Sequence, residues 1–157
     1  GYKQVLALDI HSGYGPRWQV TLVNPPLEKK TSEETAARFN VPRVAGVNPE
    51  EFYSVHGDMS DFMIETLESD SPSAKFYAGA FEFGTYGESL WQGIHSLRTS
   101  VLENCLRWFG GSGAARKWMA REYDELFQPS DPKWWQKAQA DARHYLENIL
   151  KAEGFLS

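Results

Sequence analysis

The order of elements along the 157-residue chain predicts an α/β fold: a mixed sheet flanked by helices, with a helical C-terminal extension. Three observations carry this. Short apolar runs bounded by Gly, Pro and Asn occupy the first part of the chain. Lys75 to Tyr86 is the most strand-like stretch. Beyond it, apolar residues recur at helical spacing.

Taken in order, Val5 to Ile10 is a continuous apolar run ended by the turn-forming His11-Ser12-Gly13-Tyr14-Gly15-Pro16, and reads as a buried strand. Trp18 to Val23 reads as a second strand, closed by Asn24-Pro25-Pro26. A helix starts at Thr31, where Glu34 completes a capping-box spacing. Asn48-Pro49 opens another, with Pro at the first helical position, and Ser60 is expected to cap a further helix through Phe62, Met63 and Leu67. In Lys75 to Tyr86, Phe76, Ala78, Ala80 and Glu82 share one face and Tyr77, Gly79, Phe81 and Phe83 the other. Leu90, Ile94, Leu97, Val101, Cys105 and Trp108 step at helical spacing, so an amphipathic helix with Cys105 in the core is expected, stopped by Gly110-Gly111. Asp131-Pro132 opens a last helix carrying Trp135, Ala138, Ala142, Tyr145, Ile149 and Leu150.

Composition narrows the function classes. With 41% hydrophobic and 14% aromatic residues the chain is not a disordered one. A net charge of −5 with scattered Lys and Arg speaks against a nucleic-acid partner. No apolar run is long enough to span a membrane. The single Cys105 makes no internal disulfide, so a reducing, cytoplasmic compartment is expected.

Two places break the apolar pattern. Asp9 and His11 lie two residues apart at the end of a strand, hence on one face, where α/β folds place their sites. A neutral imidazole there can bind a metal while the carboxylate orients its ring. The alternative is a histidine hydrogen-bonded at a strand end beside a turn-capping Asp9. Glu82 is embedded in Ala78-Gly79-Ala80-Phe81-Glu82-Phe83-Gly84-Thr85. A carboxylate in such a strand must be paired or bound to a cation, and burial suits a general base. The alternative is a salt-bridged structural residue, or one facing solvent from an edge strand.

Together, Leu6-Ala7-Leu8-Asp9-Ile10-His11-Ser12-Gly13-Tyr14-Gly15 and the later Gly79-Ala80-Phe81-Glu82-Phe83-Gly84-Thr85-Tyr86 resemble the zinc carboxypeptidase superfamily. The nearer resemblance is to its acyl-amino-acid hydrolase branch, which includes succinylglutamate desuccinylase-like proteins, and to an uncharacterised bacterial group within it. It covers little more than the first half of the chain, and the helical tail only loosely. It implies that His11 matches the last zinc ligand, that Glu82 matches the catalytic glutamate, and that Asp9 orients His11. The implied activity is zinc-dependent hydrolysis of an amide bond in a peptide or acyl-amino acid. The implied domains are residues 1–109, the C-terminal part of a catalytic domain, and 110–157, a helical extension packed on it, with Gly110 to Gly113 the candidate hinge.

The chain departs from the family in one respect. The family's other two ligands come from a His-x-x-Glu motif well upstream of the His11 strand, and an Asn-Arg pair for the substrate carboxylate belongs to the same region, where this chain has no residues. Zinc is therefore expected for a complete protein and little or none for this chain, which reads as incomplete at its N-terminus and inactive alone. The expected partners are a missing N-terminal segment or a second copy paired through the strand near Val5 to Ile10. The rival function is a non-catalytic binding or self-association module that keeps the fold.

Among remaining candidates, Arg17, Arg43 and Tyr86 are possible substrate contacts, with Tyr14, Tyr53 and Tyr77 as further phenolic donors. His144 and Glu147 form a His-x-x-Glu string late in a helix and read as a solvated face. His56-Gly57-Asp58 is a weak loop ligand set, with Asp58 better placed to cap a helix, and His95 reads as a boundary residue. Gly13 and Gly15 read as turn residues, and Trp108, Trp118, Trp134 and Trp135 as helix packing with any exposed ones marking an interface.

Overall fold

The computed structural model describes residues 2–47, 57 and 59–156. The expected helix start at Asn48-Pro49, Tyr53, and the His56 and Asp58 positions lie outside the described residues. Among the described residues four strands form one mixed sheet: β1 (Gln4–Ser12), β2 (Val20–Asn24), β3 (Val44–Gly46) and β4 (Lys75–Phe83), in the order β1-β4-β2-β3. Helices α1 (Ser32–Phe39), α2 (Met59–Asp70), α3 (Leu90–Phe109), α4 (Gly113–Phe127) and α5 (Pro132–Ala152) complete the α/β fold.

Contacts divide the chain into two units. The first holds Gly1–His11, Thr21–Glu82 and Ala142–Ser157, the second Ser12–Val20 and Phe83–Asp141.

In the first unit β2 and β3 run parallel, with Leu22 opposite Val44 and Asn24 opposite Gly46. The Tyr77 hydroxyl at the start of β4 reaches the Asn24 side-chain oxygen at the end of β2 at 3.5 Å. Just past the other end, between residues of the second unit, the Gly84 N–H bonds the Gln19 carbonyl at 3.2 Å, so β4 and β2 are antiparallel. Thr31 caps α1 with the expected reciprocal box to Glu34, and Asn40 closes it in the left-handed conformation. The core gathers Leu22, Val23, Phe39, Tyr77, Phe81, Tyr145 and Ile149, all buried. Phe39 meets Tyr77 edge-on at 4.8 Å, and Phe81 meets Tyr145 at 5.9 Å. The Asn24 amide donates to the Thr35 hydroxyl at 2.9 Å, which satisfies both buried polar groups.

In the second unit the segment after β4 is clamped from several sides. The Trp134 indole N–H donates to the Gly84 carbonyl at 2.8 Å. The Thr85 hydroxyl lies 2.7 Å from the Leu126 carbonyl and 3.1 Å from that of Gly13, and its one proton serves either. Gly84 has to be glycine, because a Cβ would stand 2.1 Å from the Pro16 carbonyl oxygen. Gly13 and Gly15 both take positive φ, as their turn role requires.

Four expectations need correcting. Among the described residues β1 lies at the edge of the sheet with Ile10 65% exposed, so the continuous apolar run does not mean burial on both faces. The second strand starts at Val20, because Trp18 sits at a φ of 70°, outside the extended region. Ser60 lies inside α2 with its side chain buried and does not cap it. In α3 the apolar stripe from Leu90 to Trp108 faces outward and Cys105 is an exposed free thiol. A helix the sequence reading did not anticipate, α4, starts directly after Gly110-Gly111, with Ser112 as its N-cap.

Candidate active site

β1 and β4 are neighbours in the sheet, and two backbone bonds fix how they align. The Lys75 N–H bonds the Lys3 carbonyl at 3.0 Å, and the Gly13 N–H bonds the Phe83 carbonyl at 3.1 Å. Both increase in the same chain direction, so the pair is parallel. In a parallel ladder each N–H bonds the residue before its partner. Both bonds therefore set one register, with Gln4 opposite Lys75 and Ser12 opposite Phe83. Counting from either end brings His11 opposite Glu82, with the two side chains leaving the same side of the sheet.

On β1, strand geometry puts Asp9 and His11 on that same side. His11 Nε2 lies 2.7 Å from Asp9 Oδ2, and the other carboxylate oxygen accepts from the Ile10 N–H at 2.8 Å. In the neutral ring the proton then sits on Nε2, facing the carboxylate, and the lone pair sits on Nδ1. Metal-binding histidines are commonly held this way. Asp9 is held below the ordinary carboxylate range, chiefly by the hydrogen bond from His11. Its partial burial opposes that shift, while the Ile10 N–H and the charge of His11 add to it. The pair is open to solvent, with side chains 52% exposed for His11 and 37% for Asp9. Glu82 is 4% exposed, between the buried rings of Phe81 and Phe83 in the sequence of β4.

The other candidate residues are placed differently. Arg43 immediately precedes β3, which β2 separates from β4, and its Nε donates to the Thr21 hydroxyl at 2.9 Å. Arg17 and Tyr86 belong to the second unit. The Arg17 guanidinium lies 5.2 Å from the centre of the Trp18 ring. The Tyr86 hydroxyl donates to the Glu122 carbonyl at 3.1 Å, and burial, with Glu122 and Glu125 nearby, pushes its phenol above the ordinary value. Tyr14 is exposed, and Tyr77 is buried with its phenol pushed far up by burial. His144 and Glu147 are exposed on α5, as a solvated face would be. His95 is half-buried, its ring 4.8 Å from that of Tyr86 and its Nε2 3.7 Å from Glu122.

Among the described residues no group of three or more His, Cys, Asp and Glu side chains is placed to hold a metal ion. His11 can offer one nitrogen. A catalytic zinc takes three protein ligands, so the described residues do not complete such a site.

The sequence reading missed Gly84 and Thr85. Their roles depend on Pro16, Gly13 and Leu126, which are remote in sequence, and no local pattern shows that. The available signal was that both stand in the Glu82-Phe83-Gly84-Thr85 stretch that carries the resemblance.

A family model described as a protein of unknown function, DUF2817, matches residues 1–141, and the chain belongs to that family. No curated protein and no solved structure matches the chain.

Proposed function

We propose that this DUF2817 member carries part of the active site of a zinc-dependent hydrolase that cleaves an amide bond in a peptide or acyl-amino acid. The observation that supports this best is one register position. A buried carboxylate, Glu82, stands opposite an imidazole that Asp9 holds by its Nε2. In this reading Glu82 takes the proton from an attacking water and returns it to the leaving amine. Asp9 fixes the ring so that Nδ1 is presented as a ligand atom. One imidazole does not hold a catalytic zinc, so the metal enters no step here. Further ligands have to come from outside the described residues.

The test compares the polypeptide of the complete reading frame with its Glu82→Gln and His11→Ala variants. Metal content and release of free amine from N-acyl-amino acids and short peptides are both measured. Glu82→Gln is expected to lower kcat by about 10²–10⁴-fold with metal content unchanged, and His11→Ala to lower the metal content itself. An active protein whose Glu82→Gln variant keeps its rate would overturn the assignment. A second reading, a non-catalytic self-association module, is favoured by the outward-facing stripe of α3.

A further inference from the structure

The stripe on α3 goes beyond the hydrolytic reading and does not depend on it. On the inner side of the helix Thr99 is buried, Leu106 shares a cleft with Met119 of α4, and His95 faces Glu122 of α4. Leu90, Leu97, Val101 and Trp108 lie on the opposite side, half a turn round the helix from Thr99. All four are exposed, with Ile94 beside them and Trp91 and Phe109 on the flank. A helix usually turns its apolar stripe to the core. Here the most apolar stripe of α3 points away from the helix that packs on it.

Two features indicate what covers it. The first is spacing: Leu90, Leu97, Val101 and Trp108 are separated by seven, four and seven residues, a pattern that reads the same in either direction. A two-fold axis crossing the outer face midway between Leu97 and Val101 would set Leu97 against Val101 of a second copy and Leu90 against its Trp108. An isologous antiparallel contact requires this self-complementarity. The antiparallel arrangement also sets the positive end of each helix against the negative end of the other. The second feature is area. Trp91, Trp108 and Phe109 are each more than three-quarters exposed, and at about 150–250 Å² per aromatic side chain they offer roughly 350–600 Å². With Leu90, Ile94, Leu97 and Val101 added, the stripe together with its aromatic flank is of the order of the about 800 Å² a standard interface takes from each partner.

We infer that the outer face of α3 is a homodimer interface, in which two copies of the chain pack their α3 helices antiparallel about a two-fold axis that passes between Leu97 and Val101, at the level of Thr99 but on the opposite side of the helix.

Sedimentation velocity on the polypeptide of the complete reading frame, across a concentration series, tests this. The wild type is expected to be a dimer, and Leu97→Lys or Val101→Glu alone to weaken it by about 30-fold or more with unchanged far-UV circular dichroism. Mixing the two variants is expected to restore a dimer, because the axis sets Lys at 97 against Glu at 101 of the other copy. That rescue also guards against a variant that merely misfolds. A wild type that stays monomeric at its highest soluble concentration overturns the inference, whether or not it binds lipid vesicles or another protein. So does a dimer that survives both substitutions, which would point to the β1 edge instead.

Discussion

Asp9 and His11 meet because a strand returns every second side chain to the same side. Their pairing was legible in the sequence for that reason alone. Glu82 was legible too, since an isolated carboxylate among Ala, Gly and Phe is conspicuous, and it is indeed buried. That Glu82 stands opposite His11 in the sheet was implied by the resemblance alone and not by any local pattern, because strand order and register come from long-range pairing. The Asp9–His11 pair also sets a pH dependence. Asp9 is held below its ordinary value by the His11 hydrogen bond first of all. The stabilisation this gives is therefore present above the unfolded carboxylate pKa of about 3.9. It is lost as pH falls through the lower folded value. The Asp9 side-chain carboxyl, followed by carbon NMR, is expected to titrate below the ordinary aspartate value of about 3.9. In a His11→Ala variant it is expected to move up toward that value. An Asp9 titration indifferent to that substitution would show that the hydrogen bond does not form in solution.

At the scale of elements, local chemistry was readable wherever it closes within one turn. Thr31 and Glu34 are three residues apart, and their capping box forms as read. Asp131-Pro132 likewise marked the start of α5 correctly. Ser60 failed as a cap because the helix begins one residue earlier and its side chain is buried instead. The error over α3 is more instructive. Periodicity reports that one side of a helix is apolar, not what that side meets. Cys105 was placed in a core that α3 does not turn toward, and it is exposed. The glycines at 110 and 111 did stop α3, yet Ser112 restarts the chain as α4 at once. Because the α1 cap acts locally, Thr31→Ala is expected to cost about 1 kcal/mol of stability, within the range of about 0.5–2 for such losses. Urea unfolding followed by circular dichroism checks it. A midpoint equal to the wild type's would mean that α1 is held by Phe39 and Thr35 packing rather than by its box.

At the scale of the molecule, the fold class was legible and the sheet was not. A mixed sheet with flanking helices follows from the order of runs and turns, whereas the order β1-β4-β2-β3 does not. The apolar run of β1 looked like a core strand because composition cannot separate an interior strand from an edge. Placement separates them. β2 is buried throughout, while β1 is nowhere fully buried and leaves Ile10 largely in water. Identical chemistry at Ile10 and at the wholly buried Ile149 should therefore have very different consequences. Ile149→Ala is expected to cost about 2–5 kcal/mol through lost transfer energy and the cavity left behind. Ile10→Ala should stay within about 0.5 kcal/mol, as surface substitutions do. Hydrogen exchange should separate the strands in the same way, with β2 amides opening only near the global limit and β1 amides well below it. If both substitutions proved equally destabilising and β1 as protected as β2, the β1 edge would be covered in solution. The covering chain would then pair with the strand that carries His11, and the site would have to be rebuilt with it.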